Sequence, residues 1–389
     1  MSTDFTGFLN PTVRDIPPSG IRKFFDIAAE MDDVISLGVG EPDFVTPWHI
    51  RDEGIYSLEK GMTYYTSNAG LKELRQELSY YMLRRFSLKY DPLTQLIITV
   101  GGSEAIDLCI RTLIAPGDEV LIPEPSFVCY TPITKLAGGV PVPIVTKAED
   151  NFRLTADALK AAITPKTKVL VLPFPNNPTG AIMSKEDLYE IAEVLKDTNI
   201  FILSDEIYAE LTYGESKHFS IAQIPELYER TVVVSGFSKA YAMTGWRLGY
   251  ACGHPDIIKA MTKVHQFAIM SAPTLAQYAA IEALKNGDED IEMMRDEYDM
   301  RRNVIVKGFN DLGLDCFEPK GAFYAFPSIR STELSSDEFC ERCLREKKLA
   351  VIPGTAFGDS GEGFIRCSYA YSIDKIHEAL NRIEAFVKK

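Results

Sequence analysis

The stretch "VVVSGFSKAYAMTGWRLGY", Val232 to Tyr250, sets one lysine, Lys239, between an apolar run that stops at Gly236 and a second run that opens near Arg247. Four consecutive apolar or small residues bounded by glycine read as a buried strand. "GFSKA" is unlike a strand interior and "MTGW" is unlike a helix, so Lys239 sits where a strand has just ended. Outward from this point the same pattern repeats. The runs "LIITV" (96–100), "EVLIP" (119–123), "VPVPIV" (140–145), "KVLVLPF" (168–174), "IFILSD" (200–205), "TVVVSG" (231–236) and "RLGYACG" (247–253) all have strand length. Helical patterns such as "EAIDLCIRTLI", "DALKAAIT" and "KEDLYEIAEVLKD" lie between most of them. Apolar runs alternating with helices predict an α/β fold with a mostly parallel, seven-stranded sheet covered on both faces.

After "IEALKNGDED" the pattern changes. A long charged helix, about 289–312, leads to "AFYAFP", a helix near 335–347, "AVIPG", "FIRCSYA" and a last helix near 373–387. This is expected to be a smaller α+β domain made from residues 1–44 and 287–389, with "GIRKFFDIAAE" (20–30) packing against it as a helix. Residues 45–286 form the large domain. A chain of 389 residues is long for one domain, which agrees with that division.

The net charge of −14 argues against nucleic acid or an anionic membrane as the main partner. Any anionic ligand must be held by local cations. Seven cysteines are scattered among mostly apolar neighbours, and the one C-x-x-C, Cys340 and Cys343, falls in "DEFCERCLREKK", an amphipathic helix with no second ligand pair. Buried thiols in a reducing compartment are expected, and no metal site. The first residues have neither the basic nor the apolar part of a secretion signal, and no run of about 18 apolar residues occurs, so a cytoplasmic protein is expected.

Ligands of such sheets bind at the carboxyl ends of the strands, and the chemically loaded residues fall there. Gly101 and Gly102 follow a strand and open a helix at Ser103, a turn whose free N–H groups favour an anion. Asn177 sits in "PFPNNPTGAI", held extended by Pro178, with Gly180 ending the turn. Asp205 ends a buried strand, where a carboxylate needs a cation or hydrogen bonds; Tyr208 follows three residues on. An amine such as Lys239 at the mouth of the same sheet suits Schiff-base chemistry. Pyridoxal phosphate requires this set: a lysine for its aldehyde, a carboxylate for its ring nitrogen, donors for its phenolic oxygen, and N–H groups with an arginine for its phosphate.

The motifs "NNPTG" (176–180), "SDEIY" (204–208) and "SKAYAMTGWRLGY" (238–250) together resemble the class I/II pyridoxal-phosphate aminotransferases of fold type I, and the resemblance runs from "SLGVGEPDF" (36–44) to "IRCSYA" (365–370). "SGIRKFFDIA", "GLKELRQEL" and "KGAFYAFPSI" resemble the bacterial subgroup that contains aromatic-acid and N-acetyl-diaminopimelate aminotransferases. The resemblance implies that Lys239 joins the cofactor aldehyde, Asp205 pairs with the ring nitrogen, and Asn177 and Tyr208 hold the phenolic oxygen. It implies that backbone N–H groups of Ser103 and Glu104 meet the phosphate, completed by Ser238 and Arg247, and that Phe127 stacks on the ring. Tyr65 would reach the phosphate of a neighbouring subunit, which implies a homodimer with shared sites. Arg366, helped by the backbone of Gly40 and by Asn177, would hold the substrate's α-carboxylate.

Many such proteins carry serine three residues before the lysine. Here Gly236 stands there with Ser235 before it, so either Ser235 supplies the hydroxyl or the phosphate is held less tightly. The implied reaction moves an amino group between an L-amino acid (aromatic, dicarboxylic or diaminopimelate-like) and a 2-oxo acid in ping-pong order. Ser103 occupies a position where some aspartate-preferring relatives carry lysine, which weakens the case for a strict aspartate enzyme. The alternative on the same fold is a pyridoxal-phosphate C–S β-lyase or related elimination.

Overall fold

The structure, a computed structural model, describes residues 5–21 and 31–388. Its strands in chain order are β1 (Ile35–Ser36), β2 (Leu96–Thr99), β3 (Glu119–Glu124), β4 (Val140–Val145), β5 (Thr167–Leu172), β6 (Phe201–Asp205), β7 (Thr231–Gly236), β8 (Gly249–Cys252), β9 (Tyr324–Ala325), β10 (Leu349–Ala350), β11 (Ile352–Pro353) and β12 (Ile365–Ser368). Seven of them form the large sheet, ordered β2-β8-β7-β6-β5-β3-β4. Every pairing is parallel except those of β8, which runs antiparallel to both β2 and β7. All seven predicted runs are strands of this sheet.

The runs lack polar alternation because both faces are covered. Successive side chains of a strand point to opposite faces: Leu96, Ile98 and Val233 join one core cluster, while Ile97, Val232 and Val234 join another across the sheet. Helices Trp48–Glu59, Lys72–Phe86 and Thr274–Asn286 cover the first face. Helices Gly101–Leu113 and Pro255–Ala268 lie on the second. Helix Lys185–Leu195 starts at a capping box, with Ser184 and Asp187 each accepting the other's backbone N–H.

A second set of elements packs around its own core. β11, β12 and β9 form a three-stranded antiparallel sheet, and β1 pairs in parallel with β10. Helices Asp288–Asp311, Ser336–Lys347 and Ile373–Val387 close over them. Segment 22–30, most of the predicted amino-terminal helix, lies outside the described residues. Both cores meet along one seam: Tyr208, Leu211 and Tyr213, just beyond β6, belong to the second core. Backbone bonds from Ala322 N–H to Leu211 and from Tyr213 N–H to Lys320 stitch that seam. Six of the seven cysteines are buried, Cys129 is half-buried, and all are free thiols.

Candidate active site

The carboxyl ends of β3, β5, β6 and β7 and the turn after β2 open onto one cavity of about 360 Å³. Lys239 stands on its wall, three residues past β7. Its Nζ donates to the carbonyl of Gly40 at 2.6 Å. The amine lies between the rings of Tyr208 and Phe323, 6.0 and 5.7 Å from their centroids. Burial lowers its pKa to about 8, against the pull of Glu41, with Arg366 and Arg247 adding repulsion. The free amine therefore prevails above about pH 8, below the range of an ordinary lysine.

Asp205, the last residue of β6, faces the same cavity and is buried with no cation against it among the described residues. Its Oδ2 accepts from the Tyr130 hydroxyl at 2.7 Å, and its Oδ1 accepts from the Ile207 N–H at 3.2 Å. Burial pushes its pKa up to about 6, and those two hydrogen bonds restrain the rise. The neighbouring Glu206 points away into a closed network, accepting from Ser204 and Ser220 hydroxyls at 2.8 and 2.6 Å and meeting His218 Nε2 at 2.8 Å. Adjacent acids thus part company by strand alternation. Glu206 has its hydrogen bonds filled, whereas Asp205 presents charge to an open space.

Gly102 and Ser103 line the cavity at the first turn of helix Gly101–Leu113. Glu104 does not: its carboxylate accepts from Val100 N–H and meets His265 Nδ1. Arg247 takes left-handed backbone (φ 54°), uncommon for a residue with a side chain, and its guanidinium covers Gly101, where a Cβ would stand 2.6 Å from Nη2. Behind this turn the backbone is packed against backbone. A Cβ on Gly249 would meet Gly101 C at 2.4 Å, and one on Gly236 would meet Leu248 O at 2.9 Å. A serine at 236 has no room here. Ser235 does not replace it, because its hydroxyl bonds the Glu206 carbonyl at 3.1 Å and lies off the cavity wall; Ser238 lines it.

Arg366, on β12, is buried between the rings of Tyr324 and Phe357, 4.6 and 4.7 Å from their centroids. Nη1 donates to Asn177 Oδ1 at 2.9 Å and Nη2 to Gly38 O at 2.5 Å, while Nε is buried without a partner among the described residues. Tyr208 and Tyr324 share a hydroxyl–hydroxyl bond of 2.8 Å, and a Cβ on Gly40 would strike the Tyr324 hydroxyl. Phe127 lines the cavity edge-on to Tyr130, at 6.1 Å. Tyr65 does not reach it; it is 82% exposed, beside a separate recess with Tyr64 and Ser271. Tyr130 and Tyr324 were absent from the expected set. Tyr324 lies in the quoted "KGAFYAFPSI" and Tyr130 three residues past Phe127, but only the folded chain brings Tyr130 to Asp205.

A sheet whose strand ends gather a buried lysine, a buried carboxylate with no cation among the described residues, and an arginine over a glycine turn has the groups that pyridoxal phosphate requires. The chain belongs to the family described as aminotransferase class I and II, which matches residues 32–383. It is 55% identical over 384 residues to YugH of Bacillus subtilis (strain 168), an aminotransferase by name without a stated substrate, with 99% of each chain covered. It is 45% identical over 381 residues to the "Probable N-acetyl-LL-diaminopimelate aminotransferase" of the same strain, covering 98% of this chain and 96% of that one. The crystal structure of an aromatic aminotransferase from Pyrococcus horikoshii OT3 superposes with a TM-score of 0.90 at 43% identity, covering 95% of this chain and 98% of that one. The protein is a pyridoxal-phosphate-dependent aminotransferase. Among the described residues no helix is long and apolar enough to cross a membrane.

Proposed function

We propose that this cavity is the site of amino transfer and that its residues divide the work as follows. Pyridoxal phosphate, when bound, supplies an aldehyde for the amino group and a ring that takes up the electron pair of the Cα–H bond. The open carboxylate of Asp205, with Tyr130 and Ile207 fixing its direction, holds a proton on the ring nitrogen. Asn177 and Tyr208 would hold the phenolic oxygen, and Phe127 would cover the ring. The N–H groups at Ser103 and Glu104, with Ser238 and Arg247, hold the phosphate. Lys239 Nζ would hold the aldehyde, and its amine, when free, would move the Cα proton as base and then acid. Arg366 orients the α-carboxylate through its fork, with Gly40 and Asn177 beside it. Running the two halves with two different acids gives ping-pong exchange between an L-amino acid and a 2-oxo acid.

The observation that carries this reading is the buried Asp205, its pKa near 6, facing a cavity with no cation against it among the described residues. Asp205→Ala is the test. An opposite charge within about 4–6 Å holds a pKa by about 1–3 units, so its loss leaves about 10- to 1,000-fold fewer protonated rings at a given pH. Turnover should fall on that scale and cofactor should bind more weakly, with Asp205→Glu recovering part of it. Near-wild-type turnover in Asp205→Ala would make the carboxylate structural.

A second expectation concerns pH. Below its pKa the Lys239 amine is an ammonium and cannot attack an aldehyde. Cofactor uptake by the apoenzyme should therefore accelerate as pH rises through about 8 and then level off. Stopped-flow absorbance checks this; a midpoint above 10 would mean that Lys239 is an ordinary surface amine.

The substrate is read as an aromatic, dicarboxylic or diaminopimelate-like amino acid, and a panel of donors and acceptors separates these. Among the described residues the cations on the cavity wall are Lys239, Arg247 and Arg366; Arg22 and Lys23, which follow the wall residue Ile21 in sequence, lie outside the described residues. The exposed Tyr65 supports a homodimer in which it completes a partner's site, and the chain is read as cytoplasmic, with units 45–286 and 1–44 plus 287–389. Light scattering of the holoenzyme tests the assembly.

A further inference from the structure

We propose that Glu104 and His265 are positioning residues that hold the turn Val100–Ser103 in the shape that receives the cofactor phosphate; this rests on the reading that the phosphate binds there. The turn depends on Gly101 in left-handed backbone (φ 76°) and is tied at two points. The Thr99 hydroxyl donates to the Gly101 carbonyl at 2.9 Å, and Val100 N–H donates to Glu104 Oε2 at 2.5 Å. The other oxygen of Glu104 meets His265 Nδ1 at 2.7 Å. A carboxylate only accepts, so Nδ1 carries the hydrogen. Glu104 thus bridges the turn to helix Pro255–Ala268, and its side chain leaves the cavity wall to Gly102 and Ser103.

This arrangement carries a cost. His265 is fully buried, and its Nε2 has no partner among the described residues. A buried polar atom without a partner costs free energy that an apolar side chain at 265 would avoid. A carboxylate in the first turn stabilises the helix start by itself, although it lowers the attraction of that turn for a second anion. Packing alone would not select a histidine at 265. The joint effect of Glu104 and His265 is to hold Val100 N–H and fix the start of the helix whose first-turn N–H groups, at Ser103 and Glu104, are read as holding the phosphate.

The test compares pyridoxal phosphate with pyridoxal, which has the aldehyde and ring but no phosphate. Both are titrated into apoenzyme and read by absorbance. Wild type should strongly prefer the phosphorylated form; if it does not, the underlying reading of the phosphate site fails, independently of this pair. Given that preference, Glu104→Ala and His265→Leu should each weaken pyridoxal phosphate binding by about 10- to 100-fold and change pyridoxal binding less than about twofold. His265→Asn, whose amide nitrogen takes the place of Nδ1, should keep the wild-type ratio. Equal loss of both ligands, or retention of the ratio in Glu104→Ala and His265→Leu, overturns the proposal. Should Glu104→Ala fail to fold, the two His265 variants decide alone.

Discussion

Replacing Lys239 with alanine is expected to cut amino transfer by about 10⁴-fold or more, since one residue supplies both the covalent attachment and the proton shuttle. The fold should survive. The amine makes one hydrogen bond, to Gly40, and its burial opposes its own charge, so little stabilising interaction is lost. Borohydride treatment of the wild-type holoenzyme should fix the cofactor to the peptide containing Lys239, and the same treatment of Lys239→Ala should fix none. Cofactor recovered on any other lysine would overturn the assignment of this residue.

Arg366→Lys should be the next largest loss. The guanidinium is clamped between Tyr324 and Phe357 and spends Nη1 on Asn177 and Nη2 on Gly38. An ammonium keeps the charge but can neither fill the slot between two rings nor present a planar fork. A buried charge-assisted pair broken on one side costs about 2–5 kcal/mol, or about 30- to several-thousand-fold in kcat/KM. The loss should be similar for three donors with dissimilar side chains, because the α-carboxylate is common to all. A loss confined to dicarboxylic donors would mean that Arg366 reads the side chain instead.

The seven large strands were legible because burial on both faces leaves an unbroken apolar run. The reversed direction of β8 was not, since "RLGYACG" reads the same either way. The second sheet was legible only as a region. Its strands β9 and β11 have two residues each, too short for any periodicity. Within the site, Lys239, Asp205 and Asn177 could be read because each ends or follows a strand at the sheet's carboxyl edge. Arg366 entered only through resemblance, as it arrives from another sheet. Tyr130 was missed because its partner lies 75 residues away. The same limit hid Glu104: its backbone could be placed from the helix start, whereas its side chain turns to a histidine 161 residues later. The question of Ser235 against Gly236 needed coordinates, since space beside Leu248 decides it.

The glycine contacts behind the turn at Gly101 set where this enzyme is free to change. Gly101, Gly249 and Gly236 bring three main-chain segments into direct touch, with no side chain between them to trim or extend. A single substitution at Gly249 or Gly236 must displace backbone, and a displaced backbone moves the helix start and the lysine-bearing strand together. Improvement by one mutation at a time is blocked at that end of the cavity. The walls at Ile21, Val39 and Thr244 carry side chains that can be exchanged singly. Lineages built on this plan would therefore diverge in the acid they accept long before they diverge in the cofactor they carry.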